Sequence, residues 1–304
     1  MKSYFAPAST GNFSVGFDLL GAAFAPVNGE LLGDELVIEG EAAELTLRLS
    51  GRYVHQLPAQ STDNLVLSCF YAFEQKLGRT LPRLALRLHK NLPVGSGLGS
   101  SACSIVVACY AFNDYFGRPL SEAELLVLMA EAEGGVSGSV HFDNVAPSYL
   151  GGLQLMLPQS PRICRSLPWF EHWRVVLCYP GTVLSTKAAR DVLPKHLSLN
   201  DSIAFAGMLS RFVSACYAAD EADASAALQD LVAEPARKAL IPELAGIRTA
   251  LEAQGVLHVG ISGAGPTLFA LCKDDQQAQL AADYLSRHYE KNEDATTQIC
   301  RLSL

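Results

Sequence analysis

Apolar and polar positions alternate along three stretches in the first third of the chain, Asp34 to Glu39, Glu44 to Leu49 and Arg83 to Leu88, and this period of two predicts strands. Between the second and third, Asp63-Asn64-Leu65-Val66 opens a helical pattern that runs to about Leu77 and is closed by Gly78. Asn91 to Gly99 is rich in glycine and follows neither period. Ser100 and Ser101 then begin an apolar helix that continues to about Tyr115. Ser121, with Glu124 three residues on, predicts a capping box and a helix carrying through to Glu133.

Further along the two periods mix. Leu153 to Leu157 and Arg174 to Tyr179 read as strands, and the polar, proline-bearing stretch Pro158 to Pro168 between them suits a junction. Several amphipathic helices lie between Thr186 and Gln254. Two strands flank Gly263-Ala264-Gly265-Pro266, a helix covers about Asp275 to Tyr289, and a last strand runs from Thr297 to Leu302. Strands and helices interleave without a strict βαβ rhythm. That predicts an α+β fold in two parts, residues 1–160 and 161–304. No internal repeat and no low-complexity segment occurs.

Composition narrows the picture. Of 304 residues, 49% are apolar and 18% charged, enough for a well-buried core and against wholesale disorder. The longest apolar candidate, Ala102 to Phe112, ends at Asn113-Asp114 and falls short of the ~20 residues needed to cross a bilayer, so no membrane partner is expected. Met1 to Pro7 lacks the pattern of a secretory signal. The eight cysteines include no Cys-x-x-Cys pair, and Cys103, Cys109, Cys178, Cys216 and Cys272 sit in apolar runs. We expect reduced core thiols in a cytoplasmic protein. A net charge of −8 works against nucleic acid as a partner.

The most informative segment is Pro93-Val94-Gly95-Ser96-Gly97-Leu98-Gly99-Ser100-Ser101-Ala102. Glycines at alternate positions let the backbone bring its N–H groups against a ligand, and a helix start placed directly after them favours phosphate. Ser100 and Ser101 could cap that helix, touch phosphate oxygens or ligate Mg²⁺. A dinucleotide-binding fingerprint would need glycine where Ser100 stands, and the P-loop pattern would need a lysine the loop lacks. A glycine-rich tight turn with no ligand is the plain alternative.

These residues resemble the central ATP-binding motif of the GHMP kinases, the superfamily of galactokinase, homoserine kinase, mevalonate kinase and phosphomevalonate kinase. Ala6-Pro7-Ala8-Ser9-Thr10-Gly11-Asn12 is similar to its N-terminal motif and Gly260-Ile261-Ser262-Gly263-Ala264-Gly265-Pro266-Thr267 to its C-terminal one, in the family's order. Ser14 to Gly21, Gly138 to Pro147 and Ser185 to Arg190 resemble the homoserine-kinase branch in particular. The resemblance implies a two-part α+β kinase, with an N-terminal part like ribosomal protein S5 domain 2 and a ferredoxin-like C-terminal part. It also implies ATP and Mg²⁺ as cofactors, L-homoserine as acceptor, and a homodimer. Other acceptors of the superfamily (mevalonate, a sugar, shikimate) and a non-catalytic metabolite binder are the competing readings.

The resemblance further implies roles for single residues. Asn64, Pro93, Val94, Gly95, Ser96, Gly97, Leu98, Gly99, Ser100, Ser101, Ala102, Cys103 and Gly263 would contact the nucleotide, and Ser101 with Glu133 would hold the metal. Asn12, Asp18, His141, Asn144, Arg190 and Arg237 would face the acceptor, with Asn144 and Thr186 near the reacting groups. The residue types suit that chemistry, because an amino acid needs an anion for its ammonium and a forked guanidinium for its carboxylate. Taken singly, Glu133 could be an ordinary solvated glutamate, Asn64 a helix cap, and each arginine a surface charge. Asp143 precedes Asn144 and is a candidate base, against a route with no dedicated base. His55, His89, His172, His196, His258 and His288 show no metal-ligand spacing, and Trp169 and Trp173 are expected to cover core.

Overall fold

The computed structural model describes residues 1–57 and 64–303. Asp63, expected to open a helix, lies outside them.

The N-terminal part rests on a four-stranded sheet. Strand β1 (Lys2–Pro7) pairs antiparallel with β4 (Gly33–Glu41), β4 antiparallel with β6 (Leu84–His89), and β6 parallel with β5 (Thr46–Ser50). Helices α1 (Leu65–Leu77), α2 (Ser100–Tyr115), α3 (Glu122–Ser137) and the short α4 (Val145–Leu150) pack with this sheet around one apolar cluster that includes Leu36, Ile38, Leu86, Phe70, Phe112 and Met129. Local chemistry sets the ends. Asn64 accepts from the Val66 amide and Gly78 closes α1 in the left-handed conformation. Ser121 and Glu124 make the expected capping box, and α3 continues past Glu133 to Ser137.

A second sheet of eight strands crosses the molecule. Its order is β10 (His258–Ile261), β11 (Leu268–Cys272), β9 (Arg174–Tyr179), β12 (Thr296–Leu302), β3 (Leu20–Pro26), β7 (Leu153–Met156) and β8 (Cys164–Ser166), with β2 (Ser9–Gly11) also paired to β3. Through the β12–β3 pair, one sheet carries strands from both sides of residue 160. Between β9 and β10 come α5 (Thr186–Asp191), α6 (Leu199–Ala218), α7 (Glu221–Ala227), α8 (Glu234–Arg237) and α9 (Leu244–Glu252). Helix α10 (Asp275–His288) follows β11.

Strands β1, β2, β3 and β8 escaped the sequence pattern. The reason is clearest for β3, Leu-Gly-Ala-Ala-Phe-Ala-Pro, which is covered on both faces and so shows no alternation. All eight cysteines are free and buried. Trp173 is buried and packs against Trp169 and Phe170, as expected of core. Among the described residues, no helix is long and apolar enough to cross a membrane.

Candidate functional site

The three glycine-bearing segments, some 80 to 160 residues apart, meet and hydrogen-bond to one another. Ser262 donates to Thr10 Oγ1 at 2.7 Å or the Gly97 carbonyl at 2.8 Å, and the Gly263 amide donates to Thr10 Oγ1 at 3.1 Å. The Thr267 amide bonds the Ser96 carbonyl at 3.0 Å, and the Ser9 amide bonds the Leu98 carbonyl at 3.2 Å. Contact is so close at Gly97 that a Cβ there would lie 2.3 Å from the Ser262 carbonyl oxygen, and its φ of +83° is one that side chains disfavour.

The loop delivers free donors to the start of α2. Neither serine caps the helix: Ser100 donates to the Leu92 carbonyl at 3.2 Å and Ser101 to Glu133 at 2.7 Å, while Gly99 in the N-cap position has no side chain. Among the described residues, the amides of Gly97, Gly99, Ser100, Ser101 and Ala102 find no partner. A row of unsatisfied N–H groups at the positive end of a helix of 16 residues is an anion-binding arrangement.

Beside it lies a cavity of about 230 Å³, bounded by Asn64 and Leu65 at the start of α1, by Lys90 and Val94, and by Ser101 and Val136. Of the glycine-rich loop, Val94 lines it, together with Ser100 and Ser101 at the start of α2. Cys103 does not join it: the thiol donates to the Ala6 carbonyl, the amide bonds Gly99, and the residue is fully buried. Leu98 and Ala102 are buried as well.

A second, smaller cavity of about 70 Å³ adjoins, lined by Asn12, Asp18, Glu133, His141, Asp143, Asn144, Thr186, Arg190, Arg237, Gly263 and Ala264. Every acceptor-facing residue expected from the sequence is here. Arg190 pairs with Asp18 at 3.1 Å, and His141 Nδ1 lies 3.5 Å from the same carboxylate. Arg237 is buried, donates to the carbonyls of Ala189 and Gly263, and shares the Phe17 ring with Arg190, their guanidinium carbons 5.8 and 5.9 Å from its centre. Asn144 accepts from Ser9 at 3.2 Å. Asn12, Phe13, Ser14 and Asp18 all have positive φ, a strain of order 1 kcal/mol or more at each that the surroundings must impose.

Charges are tuned by burial. Desolvation pushes the Asp143 carboxyl up to about 7, with the neighbouring Asp18 acting in the same direction. Burial lowers the His141 imidazole, opposed by Asp18, and lowers the Arg237 guanidinium, opposed by Asp230. Glu133 borders the smaller cavity and its hydrogen-bond partner Ser101 the larger one, so this pair sits where the two meet. Burial pushes Glu133 up to about 7, with Ser101 and Lys90 opposing. One hydroxyl and one carboxylate side by side, the latter raised by burial, fit a divalent cation that keeps several waters.

Two residues that sequence reasoning passed over complete the frame. Lys90 is buried and donates to Asp34 at 2.5 Å, to Ser104 Oγ and to the Ser100 carbonyl, while Asp34 also accepts from the amides of Asn91 and Leu92. This pair ties the loop's entry to the first turn of α2. The signal was available: Leu84, Leu86 and Leu88 face inward, and Lys90 continues their parity.

Comparison with known proteins accords with this geometry. A family model for the GHMP kinases N terminal domain matches residues 64–152, and one for the GHMP kinases C terminal matches residues 212–291. The chain is similar to the homoserine kinase of Cytophaga hutchinsonii, at 30% identity and a TM-score of 0.86, over 99% of this chain and 94% of that one. It shares its fold with a Listeria monocytogenes protein assigned as a homoserine kinase, at 22% identity and a TM-score of 0.75, covering 99% and 95% of the two chains. The mevalonate kinase of L. major, solved with R-mevalonate, has the same fold at 14% identity and a TM-score of 0.72, covering 100% and 97%.

Proposed function

The chain belongs to the GHMP kinase family, and from that premise we propose that it moves the γ-phosphoryl group of ATP to the side-chain hydroxyl of L-homoserine, a step of threonine biosynthesis. The observation that carries the acceptor is the charge pattern of the smaller cavity. Asp18 offers an anion and Arg190 and Arg237 two guanidinium groups within a space of about 70 Å³. A zwitterion entering between Asp18 and Arg190 exchanges one internal ion pair for two, so neither charge is left unmatched. Mevalonate, galactose and shikimate have no ammonium to satisfy Asp18. The 30% identity to a homoserine kinase supports the same acceptor.

The chain's own groups suffice to position the reactants. Unpartnered amides at Gly97 and from Gly99 to Ala102 grip the phosphates, and Asn64 borders the cavity on the nucleotide side. Ser101 and Glu133 would hold Mg²⁺, which would supply positive charge to neutralise the phosphates. Asn12, Asp18 and the two arginines orient the acceptor so that its hydroxyl lies by Asn144 and Thr186, in the smaller cavity. Asp143 is engaged by the Asn12 backbone amide and serves to hold that turn. The hydroxyl then attacks without a dedicated base and its proton leaves to a phosphate oxygen or water, as a loose transition state permits.

The test is ADP release with Mg²⁺-ATP across homoserine, mevalonate, galactose and shikimate. Homoserine should give the highest kcat/KM. Preference for any of the other three would remove this acceptor and leave the family intact.

A further inference from the structure

The turn that carries Asn12 and Asp18 belongs to the N-terminal segment but is held from the opposite part of the molecule. Phe13 is fully buried, stacks on Phe269 with 5.2 Å between ring centres, and meets Trp169 edge-on at 5.6 Å. The next residue, Ser14, places its hydroxyl 2.8 Å from Nε2 of His258, the first residue of β10. Both groups lie in a slot over Gly260, where an added Cβ would come within 2.4 Å of Ser14 Oγ and 2.9 Å of His258 Nε2. Asn12, Phe13 and Ser14 are left-handed, with φ of 68°, 38° and 57°, conformations that persist only where surroundings enforce them.

The turn passes its geometry on. The Gly16 amide bonds the Asn12 carbonyl at 2.9 Å, and the Asp18 amide bonds Asn12 Oδ1 at 2.9 Å. Asp18 is thereby aimed at Arg190 and His141. The phosphate loop is tied by Ser262, Thr267 and Leu184, and to the N-terminal segment through the Ser9 amide, ahead of the Asn12 to Asp18 turn.

We propose that the Ser14–His258 hydrogen bond is a positioning device for the acceptor pocket. His258 lies outside the cavity's lining and acts through Ser14, holding the left-handed turn and so setting the places of the Asn12 side chain and the Asp18 carboxylate. Burial pushes the imidazole down to about 3, so it is a neutral hydrogen-bonding group here and contributes no charge. The inference rests on the acceptor reading above and adds to it a residue whose influence falls on one substrate only.

Steady-state kinetics with homoserine and ATP test it in the full chain. Ser14→Ala and His258→Leu cut the bond from its two ends, and His258→Gln keeps a hydrogen-bonding nitrogen near the Nε2 position. Each cut should raise the homoserine KM on the order of tenfold while the ATP KM changes by less than about twofold. His258→Gln should restore most of the difference, and the double variant Ser14→Ala/His258→Leu should be no worse than the poorer single one. Unchanged homoserine KM in the cut variants, or an equal rise in both KM values, overturns the inference and leaves the acceptor reading standing. Failure of both cut variants to fold, read by circular dichroism, reassigns the bond to stability and overturns it too. No homoserine turnover by the unmodified chain sinks the acceptor reading, and this inference with it.

Discussion

The two adjoining cavities are built in opposite ways. The larger adjoins main-chain donors at Gly97 and from Gly99 to Ala102, and is lined by elements of the same half. The smaller is assembled mainly from polar and charged side chains, and these come from five separated places: Asn12 to Asp18, Glu133, His141 to Asn144, Thr186 to Arg190, and Arg237. Outside the glycines that its turns require, a backbone site tolerates side-chain change because every residue but proline supplies a donor. Charged side chains do not, since each has its own geometry and its own partner. On the function proposed above, one reactant is met by a conformation and the other by a constellation.

Substitutions probe that contrast unequally, and the greatest loss should come where the cavities meet. Glu133→Gln removes the carboxylate that Ser101 donates to and should lower kcat on the order of a thousandfold, with a higher Mg²⁺ requirement and an acceptor KM close to the original. A small effect would place the metal elsewhere and dissolve the junction. Asp143→Asn comes next. If Asp143 holds the Asn12 turn and takes no proton, kcat falls by less than about a hundredfold, whereas a loss of several orders would make it the general base.

The same variant has a pH signature. Asp143 is raised in the fold from 3.8 to about 7, so the folded state holds the proton more tightly than the unfolded chain. Its contribution to stability is therefore full below the unfolded value and is lost as pH climbs from about 4 to about 7. Asparagine has nothing to ionise. Thermal melts should thus show the variant gaining on the unmodified chain from pH 5 to pH 7, by up to about 1 kcal/mol per pH unit, with no further gain above about pH 8.

Arg190→Lys sharpens the side-chain half of the comparison. A lysine keeps the charge and loses the planar fork, so the acceptor KM should rise about tenfold while the ATP KM stays put. On the other side Asn64→Ala should be mild. It removes the α1 cap for about 1 kcal/mol of stability and should raise the ATP KM only a few-fold, because the phosphates are met by amides that the change leaves alone. Equal sensitivity of both cavities to side-chain replacement would abolish the distinction.

What could be read from the chain followed the same division. The strand periods of β4, β5, β6 and β9, the capped starts of α1 and α3, and the glycine pattern ahead of α2 are local signals, legible because each is written within a few residues. Buried strand β3 was not, since two covered faces erase the alternation. The residues proposed to face the acceptor were named through resemblance to a family, because one aspartate or arginine alone does not say what it will face.

By itself the sequence determined the elements of local period and a loop whose backbone must turn tightly into a helix, for these depend on sterics and on residues next to one another. Only the tertiary structure decided that Ser101 turns to Glu133 and leaves its helix uncapped, that Lys90 and Asp34 lock the loop's entry, and that Phe13 and Ser14 anchor the acceptor turn in the opposite part. Those contacts join residues tens to hundreds of positions apart. They exist because close packing and the desolvation of buried polar groups leave each of these side chains few partners, and the fold chooses among them.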